Sequence, residues 1–275
     1  MRGPNQAGLR VRRLLRIAPF VAALVFLVAL VPRPAKAFGD VGAFDPRALI
    51  AGGTTGPARA SAGARWSWEL VQRTSAPARL KPTTVRADDP SLVDSPFLWW
   101  SGDTALTPLT ANEIAGLRKF FALGGVLLVD DAGVPDDSSA ENPKTSAFSK
   151  TAREQIARVL PETSPIPLAA DHVLFKSYYL LKRAEGRVAG PRTLDAIVRG
   201  GQTQVVFSSH DIGGALARGA TGAWENPVVP GADIQRERAI RLAVNIAMYV
   251  LCSNYKDDQV HAPFLMRRRA GALIP

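Results

Sequence analysis

The chain has 275 residues, 47% of them apolar, and its 34 Lys and Arg against 24 Asp and Glu give a net charge of +10. Seven of those cations and no acid fall within residues 1–37, leaving 27 against 24, a net of +3, over the remaining 238 residues. The basic excess therefore belongs to the N-terminal segment. A nucleic-acid-binding reading would need a basic stripe on the rest of the chain, where Arg267-Arg268-Arg269 is the one dense run. With a single cysteine, Cys252, no intrachain disulfide can form, and 238 residues suffice for one large domain with a true core.

Residues 1–37 have the three parts of a cleavable export signal. Arg2, Arg10, Arg12, Arg13 and Arg16 form a positive start, Ile17–Val31 is an apolar run, and Ala35-Lys36-Ala37 is an A-x-A cleavage site. The run is fifteen residues long, whereas a spanning helix needs about 20. Pro19, Pro32 and Pro34 further oppose one long helix. The competing reading is a retained membrane anchor. Arg12-Arg13 loosely resembles a twin-arginine signal, and no Cys directly follows the apolar run, which argues against a lipoprotein. The expected address is the periplasm.

Beyond the signal, residues 38–253 are expected to form the domain and 254–275 a basic tail. Ala48–Ala51 reads as a first strand ended by Gly52-Gly53, residues 61–74 as a helix carrying Trp66, Trp68, Leu70 and Val71, and 81–94 as a Pro-punctuated loop. Phe97-Leu98-Trp99-Trp100, bounded by Pro96 and Gly102, is a buried strand with both indoles in the core. Thr110-Ala111-Asn112-Glu113 is a capping box. Ile114, Leu117 and Phe121 then mark one helix face, which Gly124-Gly125 ends. Val126–Val129 is apolar on both faces, as a strand covered from both sides must be. Strand, helix, strand in this spacing is a βαβ unit.

Residues 147–160 form an amphipathic helix through Phe148, Ala152, Ile156 and Val159. The class of His172–Tyr179 is left open, with His172 a loop or surface residue. Leu194–Val198 and Gln204–Ser208 are two strands joined across Gly200-Gly201. A last helix over roughly 235–252 is apolar on most sides, with Cys252 a small buried hydrophobe. This alternation predicts an open, mostly parallel α/β sheet with helices on both faces. Ligands bind such sheets beyond the carboxyl ends of the strands.

Three strands run into polar residues at that end: Trp100 into Asp103, Val129 into Asp130-Asp131, and Phe207 into Ser208-Ser209-His210-Asp211. If they are parallel neighbours, Asp103, Asp130, Asp131, His210 and Asp211 converge on one rim, where they could meet a ligand or partner. Asp130, Asp131, His210 and Asp211 are the residues that would hold a divalent cation there, or that would supply a base tuned by like charge. Helix and turn capping is the plainer role for the same residues. Trp224, in the Gly-rich segment after this loop, is the indole best placed to line a cleft. No G-x-S-x-G elbow, phosphate-binding loop, dinucleotide fingerprint or H-E-x-x-H motif is present.

The blocks PFLWWSGD, LTANEIAGLRKFFALGGVLLVDD, ADHVLFKSYYLL, VVFSSHDIGGAL and NYKDDQVHAPFLMRRR, in order over roughly residues 40–269, resemble the bacterial family known as domain of unknown function 4159. That resemblance implies a flavodoxin-like sandwich similar to the class I glutamine amidotransferases. Those enzymes use a Cys on a strand-to-helix elbow, whereas Cys252 lies in the final helix, so none of their catalytic chemistry carries over.

Three functions follow as expectations. The first is an exported, non-catalytic module, with no cofactor, that binds a protein partner of the cell envelope or a small ligand at the rim. The second is a metal-dependent hydrolase using the Asp/His cluster. The third is an assembly subunit. Membrane contact would come through an uncleaved N-terminal segment or through Arg267, Arg268 and Arg269.

Overall fold

The computed structural model of the protein describes residues 42–139 and 141–271, with side chains through Ser253. The export signal read from residues 1–37 lies outside the described residues.

Seven strands form one sheet in the order β2-β1-β3-β4-β7-β6-β5. They are β1 (Ala48–Ile50), β2 (Thr84–Arg86), β3 (Phe97–Gly102), β4 (Val126–Asp131), β5 (Ile166–Pro167), β6 (Asp195–Arg199) and β7 (Gln202–Ser208). β2, β1, β3, β4 and β7 run parallel, while β6 is antiparallel to β7 and β5 to β6. Among the described residues the α-helices are α1 (Ala62–Thr74), α2 (Ala111–Ala122), α3 (Ala147–Val159), the short α4 (Ile212–Leu216) and α5 (Ala232–Gly271). This is the open, mostly parallel α/β sheet expected, consistent with a flavodoxin-like arrangement.

Strand alternation builds two cores. Phe97 and Trp99 of β3, Val126 and Leu128 of β4 and Val206 of β7 face α1, α4 and α5, where Trp66, Leu70, Ile212, Ala243 and Ala247 meet them. Leu98, Trp100, Leu127, Val129, Val205 and Phe207 face α2 and α3, against Leu117, Phe121, Phe148 and Ile156. Trp99 and Trp100 are 1% and 0% exposed, so both indoles are core. The α1-side core holds an aromatic cluster, with Trp66 edge-on to Phe97 and Trp99 at 5.7 and 6.0 Å between centroids.

Local signals explain the element ends. Thr110 caps α2 and Glu113 reaches back to it, completing the capping box. β6 and β7 pair Arg199 with Gln202 across Gly200-Gly201, both at positive φ (57° and 81°), as a two-residue hairpin of the primed type requires.

Some expectations are corrected. The predicted loop at 81–94 contains β2 and a 3-10 turn at Pro90–Asp94. Only Val85 of β2 is buried, so this edge strand has almost no apolar pattern to read. His172–Tyr179 holds a 3-10 turn over Val173–Lys176, with His172 Nδ1 accepting from the Leu174 N–H. The last helix continues to Gly271 instead of ending at 252: residues 253–262 contain neither Gly nor Pro, and the helix then runs through Pro263. Cys252 is exposed, not buried, since the helix turns Tyr249 and Val250 toward the core and Cys252 away from it. Among the described residues, no helix is long and apolar enough to cross a membrane.

The chain leaves β1 by α1 on one face and leaves β3 by α2 on the other. The switch of direction therefore lies between β1 and β3, where open α/β sheets form crevices. The glycine-rich loop after β1, residues 51–61, is held at that end of the sheet.

Candidate functional site

β3, β4 and β7 are parallel neighbours in a register that pairs Ser101 with Asp130 and Asp130 with Ser208. The predicted polar residues thus reach one end of the sheet. Their side chains then separate, because consecutive residues of a strand point to opposite faces.

Asp130 turns to the α1 side and is fully buried. Its Oδ1 accepts from the Ile212 N–H at 2.9 Å and its Oδ2 from the Gly213 N–H at 2.8 Å. The carboxylate therefore holds the first turn of α4. A Cβ on Gly213 would lie 2.6 Å from the Trp99 ring, so only glycine lets this turn sit so close to β3. Burial lifts the Asp130 pKa above the ordinary carboxylate range, helped by the charge of Asp211 and opposed by the Gly213 and Ile212 N–H groups.

Asp211 caps the same helix from a left-handed backbone (φ 51°), accepting from the Gly214 N–H at 2.8 Å. Two arginines neutralise it. Arg59 from the loop after β1 approaches to 2.6 Å, and Arg187 pairs with the same oxygen. Arg59 also donates to the Ala132 carbonyl, and Arg187 to Asp136 and to the Val134 carbonyl. Three loops are thereby tied to one buried carboxylate.

Asp131 turns to the other face. Its Oδ1 accepts from the Gly133 N–H at 3.0 Å and from Ser146 Oγ at 2.5 Å. Burial raises its pKa, with the Ser146 and Gly133 bonds opposing. Ser146 caps α3 and borders an open cleft of about 530 Å³ lined also by Lys150, Arg153, Glu154 and Asp195. An Arg153–Asp195 ion pair of 2.8 Å lies along the wall of that cleft.

His210 is 1% exposed, and its Nε2 lies 2.9 Å from the Pro191 carbonyl, which makes Nε2 the protonated nitrogen. Gly186 packs on it so tightly that a Cβ there would sit 2.2 Å from the His210 carbonyl oxygen. Burial pushes the His210 pKa down to about 4, against the Pro191 bond, so the ring is neutral at pH 7. Asp103 is exposed at the end of β3. Trp224 is partly buried in the loop over α1 and α4 and packs against the α1-side core.

The four predicted cation ligands do not form one ligand set. Asp130 and Asp131 lie on opposite faces, Asp211 is occupied by two guanidiniums, and His210 faces a carbonyl. Among the described residues no group of three or more His, Cys, Asp or Glu is placed to hold a metal ion. The residues that sequence reasoning missed are Arg59 and Arg187, which stand 152 and 24 positions from Asp211. The one available signal was the Gly-rich loop after β1, which the switch-point rule places at this end of the sheet.

The model of the family described as "domain of unknown function (DUF4159)" matches residues 52–251. The chain belongs to that family. The match begins at the Gly52-Gly53 turn and ends in α5, so in this member of the family it spans the whole charged hub from Arg59 to Asp211. A comparison with curated proteins found no match.

Proposed function

We propose that this member of the family is an exported, non-catalytic α/β module that binds a protein partner of the cell envelope at the strand-end rim. One observation carries the reading: the rim residues with catalytic potential are engaged in holding the fold, while residues suited to contact remain accessible around them. Asp130 and Asp211 bind α4, Arg59 and Arg187, and His210 is bonded to a carbonyl. A base or nucleophile must be free to meet substrate, and these groups are buried and engaged. Asp103 is exposed just after β3, and Trp224 is partly exposed in a loop that Arg59 reaches through the Asn226 side-chain oxygen. Rigid loops at a rim lower the ordering cost of binding. Export is supported by the basic start, the apolar run and Ala35-Lys36-Ala37.

Two measurements test this. N-terminal sequencing of the protein from a periplasmic fraction is expected to begin at Phe38; intact Met1 in the membrane fraction would overturn cleavage. The native protein, gently extracted from its own envelope, is expected to migrate as an assembly larger than a single copy of the chain. Asp103→Arg is expected to shrink that assembly. Migration of the unaltered protein as a monomer would overturn partner binding.

A further inference from the structure

The outer face of α1 and the loop after α4 carry a cluster that the hub does not use. Arg65 and Trp68 lie three residues apart on one face of α1, with the guanidinium 4.0 Å from the indole centroid. The same guanidinium is 5.4 Å from the Trp224 ring. Trp224 also carries Arg218 at 3.7 Å and Arg236 at 4.3 Å. Arg218 and Trp224 face each other across an isolated antiparallel bridge, and Arg236 comes from the first turns of α5. Indoles and guanidiniums from three elements are thus interleaved, an arrangement in which the cations are attracted to the ring faces.

Among the described residues neither Arg218 nor Arg236 is ion-paired: Arg218 donates to the Gly222 carbonyl, and Arg236 to the Ala215 and Asn226 carbonyls. Arg65 shares Glu69 with Arg73, and Arg73 in turn shares Glu237 with Arg241. Glu225, the acid next to Trp224, accepts from Ser61 Oγ. Burial, and then the charge of Arg65, hold the Arg218 pKa below the usual arginine value. Apolar surface adjoins the cluster. Trp68 is 42% exposed, and Tyr178, 46% exposed, bonds the Arg73 carbonyl near the C-terminal end of α1. Trp, Tyr and Arg are the residues in which interface binding energy concentrates.

We propose that this ladder is the docking site for an acidic segment of a protein partner. The partner's carboxylates would pair with Arg65 and Arg218 while its apolar side chains cover Trp68 and Trp224. The inference rests on the partner-binding reading and adds the chemistry of the partner. Stacking and carbonyl bonds hold Arg218 and Arg236 in fixed directions, which suits the directed fork that a planar carboxylate accepts. Attraction to lipid headgroups needs no such fixed geometry.

The test titrates the full chain with a fluorescein-labelled, capped peptide of alternating glutamate and leucine, with its lysine counterpart, and with phosphatidylglycerol vesicles. The acidic peptide is expected to bind saturably and to lose affinity as salt rises, while the lysine peptide does not bind. Arg218→Glu and Arg65→Gln are each expected to weaken acidic-peptide binding by about tenfold or more; Arg218→Glu is expected to keep a melting temperature close to that of the unaltered chain, whereas Arg65→Gln, which leaves the buried Glu69 with Arg73 alone, is expected to melt lower. Absence of saturable binding overturns the proposal. So does binding that neither variant weakens, or binding of vesicles in place of peptide. If the peptide fails but the native protein still migrates in a larger assembly, the acidic-partner inference falls and the partner-binding reading stands. If the native protein migrates alone, both fall.

Discussion

The protein uses arginine in two opposite ways at neighbouring places. Around Asp211, Arg59 and Arg187 close on a buried carboxylate and their remaining N–H groups reach carbonyls or Asp136. Around Trp224, Arg218 and Arg236 lie on an indole with no carboxylate opposite them. The first arrangement is self-sufficient and interior, so any ligand would have to displace bonds already made. The second is partly open at Arg218, which donates to one carbonyl, so a ligand there would meet a guanidinium with N–H groups to spare. Charge at the hub specifies the shape of the loops, and charge at the ladder is left to specify what meets them.

The sharpest way to break this contrast is to remove the carboxylate of the hub. Asp211→Ala leaves two guanidiniums facing a buried gap and deletes the cap of α4. Breaking a buried pair in this way costs about 3–5 kcal/mol, read as a fall in the urea midpoint with unchanged slope. Asp211→Asn keeps an acceptor for the Gly214 N–H but loses the charge, so its loss should fall between that of Asp211→Ala and zero. A loss below about 1 kcal/mol for Asp211→Ala would put the hub at the strength of an exposed ion pair and remove the distinction drawn here.

The next effect is one of pH. His210 titrates at about 4 in the folded chain, below the ordinary 6.5. A base whose folded pKa is depressed contributes stability that is full above its unfolded pKa and is lost as pH falls through the folded one. Unfolding free energy should therefore decline between about pH 6.5 and about pH 4, by up to about 3 kcal/mol from this group. Asp130 works the other way: its raised pKa makes the folded chain hold a proton that the unfolded chain has lost, so its contribution falls as pH rises out of the acid range. Comparing the unaltered chain with His210→Gln across this window isolates the histidine. Parallel pH curves for the two would mean that the ring is not desolvated as its surroundings require.

How much of this was legible beforehand differs between fold and site. The βαβ unit from Phe97 to Val129 was readable because capping box, helix face, glycine stop and doubly buried strand are all local signals that agree. β2 and β5 were not, since edge strands of three and two residues bury too little to leave a pattern. At the site, the strand-end rule brought Asp130, Asp131, His210 and Asp211 to the correct edge of the sheet. It could not say which face each would take, although strand alternation alone separates Asp130 from Asp131. The partners of Asp211 were beyond reach, because Arg59 is 152 positions away and nothing local marks it. Trp224 was singled out for its loop, but the three arginines on it come from α1, its own loop and α5, and only the packed fold assembles them.

The smallest expected change of stability carries the other half of the contrast. Arg218 is partly exposed, makes no ion pair among the described residues, and bonds one carbonyl within its own loop. Replacing it by Gln keeps a donor and part of the aliphatic stem while removing a charge that Arg65 repels. Stability should then change by less than about 0.5 kcal/mol in either direction. A hub arginine treated identically should behave otherwise: Arg187→Gln leaves a buried carboxylate short of one of its two cations and should cost several times as much. Denaturation of these two variants side by side decides the matter. Equal losses would mean that the Trp224 cations are as deeply built into the fold as those on Asp211, and the ladder would then have no spare charge to offer a partner.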